Sequence, residues 1–189
     1  MPIPVMSDIL NVELARMRDA CQRSALDLLE TGCIRNTAPG HRLADGWSTL
    51  IFAEHVKAHS GSTTSVDLDT AQAKAVLASE CLAAQVQFIE GHSVEILGAL
   101  REQGKTYDIV LLDSANDPEL TFKEYQIAAD MVRRPNLVVV DDVKYYSDSH
   151  GVKGDVLLPY LQSKGIEFRV RRRWGGSGWI DVILFESPT

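Results

Sequence analysis

Two apolar runs that end in acids constrain this chain more than any other feature. Ile109-Val110-Leu111-Leu112 is followed by Asp113, and Leu137-Val138-Val139-Val140 by Asp141-Asp142. Short runs of aliphatic and β-branched residues read as strands buried on both faces, the condition of a parallel sheet covered by helices. In open α/β sheets the ligand crevice lies beyond the carboxyl ends of the strands. If the two runs are neighbours, three carboxylates meet in that crevice, a donor set suited to a divalent cation such as Mg2+.

The remaining segments alternate in the same manner. Ser7 can cap a first helix through Ile9, Leu10, Leu14 and Met17. Leu26 to Leu29 reads as a strand feeding Glu30-Thr31-Gly32, and Cys33 to Asp45, with Asn36, Pro39 and Gly40, reads as irregular. A helix is predicted from Gly46-Trp47-Ser48 through Val56, a strand over Thr63 to Val66, and a helix from Thr70 capped by Asp69. Val86 to Ile89 and Tyr107 to Leu112 are further strands, with a helix after Gly91-His92-Ser93 that Gly104 ends. A helix is predicted over Leu120 to Arg133, stopped by Pro135-Asn136, and another over Val156 to Lys164, bent at Pro159. Ile166 to Arg173 and Trp179 to Phe185 flank Gly175-Gly176-Ser177-Gly178, the pattern of an antiparallel hairpin. The expected fold is a Rossmann-like, doubly wound α/β sheet, mostly parallel, with an antiparallel strand from a C-terminal hairpin, in a single domain over 1–189.

A formal net charge of −7 argues against general affinity for nucleic acid or an anionic membrane. The basic run Arg171-Arg172-Arg173 is expected to be a solvated strand edge, with contact to an anionic substrate as the alternative. Cys21, Cys33 and Cys81 have no paired spacing, no apolar stretch reaches membrane-spanning length, and the N-terminus lacks a secretory pattern. A cytoplasmic protein is expected. The apolar stripe of the first helix makes a homodimer an option.

Several strand ends carry candidate chemistry. Gly32 lets backbone approach a ligand, and Asp67, ending its strand, is placed to accept ribose hydroxyls. His92 and Ser93 can border an adenine ring. The dinucleotide fingerprint GxGxxG is absent, which weighs against a nicotinamide-dependent oxidoreductase of the same fold class. A nucleoside-binding module with solvated acids is the non-enzymatic alternative.

The ordered set Glu30-Thr31-Gly32, Gly46-Trp47-Ser48-Thr49, Ser65-Val66-Asp67-Leu68-Asp69, Gly91-His92-Ser93, Leu112-Asp113 and Val140-Asp141-Asp142 resembles class I S-adenosylmethionine-dependent methyltransferases. More narrowly it resembles their metal-dependent small-molecule O-methyltransferases. The long insert Cys33 to Asp45 makes it more similar to the sugar and natural-product branch than to the catechol branch. The resemblance implies that Glu30, Gly32 and Ser48 hold the methionine moiety, Asp67 the ribose, and His92 and Ser93 the adenine. It places Asp113, Asp141 and Asp142 as metal ligands, with Asp113 also beside the cofactor and the chemistry.

The activity so implied is Mg2+-assisted methyl transfer to a hydroxyl of a small molecule, preferably a saccharide, with a catechol or phenol as the alternative acceptor. A bound metal lowers the pKa of an oxygen ligand. Without that help a base is needed. His150 and Lys144 are the candidates in the polar loop after the last acid pair. Arg35 and His41 in the insert, and Tyr145, Tyr146 and Trp174, are candidates for contact with cofactor or acceptor.

Overall fold

The computed structural model describes residues 3–38, 41–44, 47–145 and 152–188. Its centre is a seven-stranded sheet: β1 (Leu26–Thr31), β2 (Gly61–Asp67), β3 (Val86–Glu90), β4 (Tyr107–Leu112), β5 (Val132–Tyr145), β6 (Arg169–Trp174) and β7 (Trp179–Phe185). The order is β3-β2-β1-β4-β5-β7-β6, with β1 to β5 parallel and the hairpin strand β7 antiparallel to both β5 and β6. The helices are α1 (Met6–Cys21), α2 (His41–Ala44), α3 (Ser48–His59), α4 (Ala71–Ser79), α5 (Ser93–Glu102), α6 (Pro118–Ala128) and α7 (Gly154–Ser163).

Period-two alternation along the central strands divides the core between the two faces. Leu26, Leu28, Ile109, Leu111, Leu137 and Val139 pack with α1 and α3. Leu29, Val110, Leu112, Val138 and Val140 pack with α5, α6 and α7. The two aliphatic runs are fully buried neighbours, Ile109 to Leu112 in register with Leu137 to Val140. The chain leaves β1 toward β2 on one side and returns as β4 on the other, so the topological switch point lies between β1 and β4.

Local boundaries differ from expectation at several points. Val5 rather than Ser7 is the N-cap of α1, and Asp8 reaches back to accept from the Val5 backbone N–H at 3.0 Å. The helix expected to reach Arg133 ends at Ala128, followed by a 3-10 turn over Ala129–Met131. Val132 is already in β5, because Val132 pairs with Tyr107 and sheet hydrogen bonding takes the chain there. The insert is not wholly irregular, since α2 lies within it. The stripe Met6, Ile9, Leu10, Leu14 and Met17 packs on the sheet, which removes the ground for the homodimer option.

Candidate active site

At the end of β1 the pleat turns Glu30 to the face opposite Leu29 and Thr31, and its carboxyl is buried. Ser48, the first residue of α3, donates to Oε2 at 2.7 Å, and Ser65, in register on β2, donates to Oε1 at 2.7 Å. Among the described residues no cation pairs with it. Burial, only partly opposed by the hydroxyl donors, pushes the Glu30 carboxyl up to about 7. Two residues on, Gly32 has φ +86°, and a Cβ there would sit 2.1 Å from the Asp113 carbonyl oxygen. Only glycine permits this approach of the β1 and β4 ends.

At the end of β2, Asp67 accepts from the Cys33 N–H at 2.8 Å through Oδ2 and from the Leu68 N–H at 2.6 Å through Oδ1. Asp69 instead accepts from the Ala71 N–H at 2.9 Å, at the start of α4. Thr70, not the expected Asp69, is the N-cap of α4, though Asp69 still holds the first helical N–H, and Asp67 lies at the crevice. Asp67 lines a cavity of about 120 Å³ with Gly32, Leu68, Gly91, His92 and Ser93. His92 is the N-cap of α5, so both residues of the expected adenine border face this cavity.

The ends of β4 and β5 bring Asp113, Asp141 and Asp142 together, with one oxygen from each lying within 4.8 Å of the others. Both members of the doublet converge because β5 bulges between Val140 and Lys144 and Asp142 takes a left-handed φ of 54°. That conformation costs a non-glycine residue on the order of 1 kcal/mol. Among the described residues two cations pair with the cluster. Lys153, 0% exposed, donates from Nζ to Asp113 Oδ1 at 2.5 Å and lies 3.6 Å from Asp142 Oδ2. Arg173, 4% exposed, spans Asp141 with both arms of its fork, Nε to Oδ1 at 2.9 Å and Nη2 to Oδ2 at 2.5 Å. Its Nη2 also meets Asp142 Oδ1 at 3.3 Å.

These charges set each other's protonation. Burial raises Asp113, and the Lys153 ammonium only partly offsets it. Burial alone would lower Lys153 and Arg173, but the surrounding aspartates outweigh it and hold both above their ordinary values. Both are therefore cations at neutral pH. A resident Mg2+ does not fit this arrangement well. Both oxygens of Asp141 are engaged by Arg173, and an ion bridging Asp113 and Asp142 must expel or repel the buried lysine.

A larger cavity of about 570 Å³ opens beside the cluster, lined among others by Arg35, His41, Trp47, Ser48, Asp113, Asn116, Asp142 and Arg173. Arg35 lines both cavities and stands at their junction. Of the two expected bases, only Lys144 falls among the described residues. Lys144 is exposed on β5, in register with Asp181, and lines neither cavity. His150 and Tyr146 lie outside the described residues, as does the side chain of Tyr145. Trp174 packs edge-to-face on Trp179 at 5.6 Å and lines neither cavity.

Lys153 and Glu124 escaped the sequence reading as functional candidates, and Arg173 was expected mainly at a solvated edge. The basic run is a solvated edge only at Arg171 and Arg172, the latter paired across the hairpin with Asp181. Arg173 is buried, because the end of β6 reaches toward the bulged end of β5. Lys153 offered no signal beyond its place just before α7. Glu124, buried beneath the crevice and accepting from the Thr31 hydroxyl at 3.3 Å, did offer one. Thr121, Glu124, Tyr125 and Ala128 follow helical spacing and form the buried face of α6.

The sheet order and the switch point between β1 and β4, with acids at successive strand ends, define a Rossmann-like, doubly wound domain with a ligand crevice. Residues 43–143, more than half of the chain, match the family described as "Methyltransferase domain", and the chain belongs to that family. Solved structures share its fold. Cofactor-bound Rv0187 from MTB aligns with TM-score 0.70 and 22% identity, over 98% of this chain and 83% of that one. The O-methyltransferase TomG from Streptomyces achromogenes, in complex with SAM, aligns with TM-score 0.65 and 19% identity, over 94% and 80%. An O-methyltransferase from Bacillus cereus, in complex with SAH, aligns with TM-score 0.67 and 13% identity, over 93% and 80%. No curated protein matches the chain significantly.

Proposed function

We propose that this methyltransferase uses S-adenosylmethionine to methylate a hydroxyl of a small molecule. The observation that carries the reading is Glu30, a buried carboxylate at the β1 end with two hydroxyl donors and no counter-cation among the described residues. An uncompensated buried carboxylate is costly, and an α-ammonium group is the partner it lacks. The cofactor's methionine moiety brings such an ammonium, and its activated methyl supplies the chemistry. Gly32, Ser48 and Asp67, with His92 and Ser93 along the smaller cavity, are the remaining cofactor contacts in this reading. The solved O-methyltransferases that share the fold, with SAM or SAH bound, support it.

The acceptor would occupy the larger cavity, whose size suits a small molecule. Asn36, Asn116, Arg35 and His41 among its lining residues favour a polyhydroxylated acceptor such as a saccharide over a bare phenol. Asp113, 20% exposed, and Asp142, 15% exposed, face this space and can take a hydrogen bond, then the proton, from the attacking hydroxyl. Holding that oxygen in line with the methyl group is the chain's main contribution to rate. Among the described residues no helix is long and apolar enough to cross a membrane, and a cytoplasmic site of action belongs to this reading.

Calorimetry tests it. S-adenosylhomocysteine should bind stoichiometrically to the purified chain, and nicotinamide dinucleotides should not. The reverse pattern would move the protein to the oxidoreductases.

A further inference from the structure

Among the described residues the two acidic centres differ in one respect: Glu30 lacks a cation, whereas the strand-end trio already has two. We propose that Lys153 and Arg173 stand in place of a divalent metal, so that this chain transfers methyl groups without one and the acceptor oxygen meets Asp113, Asp142 and Arg173 directly. The proposal rests on the O-methyltransferase reading of the same site.

The charge count supports it. Among the described residues three carboxylates face two cations, so with every group ionised the site carries one net negative charge, and a divalent ion entering beside them makes it positive. Displacing the cations instead is costly, because both are built into the fold. The Lys153 backbone N–H donates to the Asp142 carbonyl at 3.2 Å, and its side chain returns to Asp113 and Asp142. The next residue, Gly154, lies so close to β5 that a Cβ there would sit 2.5 Å from a Val143 side-chain carbon. The start of α7 is thereby pinned to the bulge that carries the aspartates. Arg173 fills both oxygens of Asp141 in the fork geometry that a guanidinium offers and a metal does not need.

The consequence reaches the acceptor. A metal-centred site favours substrates with two adjacent oxygens, because chelation is how the metal holds them. With Arg173 at the cavity wall and Lys153 behind Asp113, a lone hydroxyl is enough. Lys153, being fully buried, acts as a positioning residue for Asp113 and Asp142.

Mg2+ and Mn2+ are titrated into the full chain loaded with S-adenosylhomocysteine, followed by calorimetry and thermal melting. The wild-type chain should show no saturable binding up to about 10 mM, well above the range of weak protein cation sites. Lys153→Met removes the positive charge that Asp113 and Asp142 share and should gain cation binding. At roughly 100-fold over Kd that gain appears as a Tm rise of about 5–10 °C. Stoichiometric wild-type binding with a Tm rise would overturn the proposal, whatever the variant does. A folded Lys153→Met variant that gains no binding would also overturn it. Should that variant not fold, the wild-type titration decides alone. Absence of S-adenosylhomocysteine binding in the first titration would sink the cofactor reading separately, and the cation titration of the unloaded chain would still decide this one.

Discussion

Replacing Glu30 by glutamine isolates the cost of burying a charge that waits for its cofactor. The substitution keeps size and shape. The amide can accept from one of the Ser48 and Ser65 hydroxyls and donate to the other. Glu30 is held at about 7 in the fold, against an ordinary value of 4.5. Between those values the native state binds more protons than the unfolded state, so this group's contribution to stability falls as pH rises through the window. From about pH 5 to about pH 8 the linked loss amounts to about 2.5 kcal/mol.

The wild-type stability curve alone will not display this loss, because His55 runs the other way. Burial lowers its pKa to about 4 from 6.5, so its contribution is complete above 6.5 and lost as pH falls toward 4. The difference between Glu30→Gln and wild type cancels His55. In urea titrations, the variant should therefore gain about 2.5 kcal/mol on wild type between the two pH values. A difference that stays flat with pH would refute the assignment of a strained, uncompensated carboxylate. The functional half is read on the same samples. The variant should bind S-adenosylhomocysteine roughly 10–100-fold more weakly, the worth of a hydrogen bond to a charged group. Unchanged affinity would remove Glu30 from the ammonium site even if the stability result held.

Asp67→Ala should weaken S-adenosylhomocysteine about tenfold by calorimetry and loosen the Cys33 backbone that the carboxylate holds. Arg173→Met leaves Asp141 buried beside an unmatched negative charge, and chemical denaturation near neutral pH should show a loss of about 3–5 kcal/mol. Gly32→Ala must relieve a 2.1 Å approach to the Asp113 carbonyl at a positive φ, and should cost about 3 kcal/mol or more, with turnover lost as β1 and β4 separate. His55→Phe should flatten the acid limb of the stability curve between about pH 6 and about pH 4, read by thermal melting.

Much of the crevice was legible because strands expose their ends in the sequence. An aliphatic run followed by an acid marks both a buried strand and the residue just past it, and Asp113, Asp141 and Asp142 were found this way, while Asp67 was read as the end of the Thr63 to Val66 strand. Gly32 follows from the turn after the first strand, whereas Glu30 and Ser48 were named only by the family resemblance. Boundaries were less legible where pairing overrides local preference: nothing local distinguishes the helix-ending Ala128 from the strand residue Val132, four positions later.

Local periodicity was enough to determine the order of strands and helices and the acids that crown them, because burial on two faces leaves its mark on every run. What occupies the space between those acids was decided only in three dimensions. Lys153 comes from 40 residues beyond Asp113, and Arg173 from 32 beyond Asp141, on a strand that reads as a solvated edge. Long cationic side chains choose partners by electrostatics and reach, not by the period of their own element. Hence the sequence announces three carboxylates awaiting a metal, and the tertiary structure supplies two cations of its own.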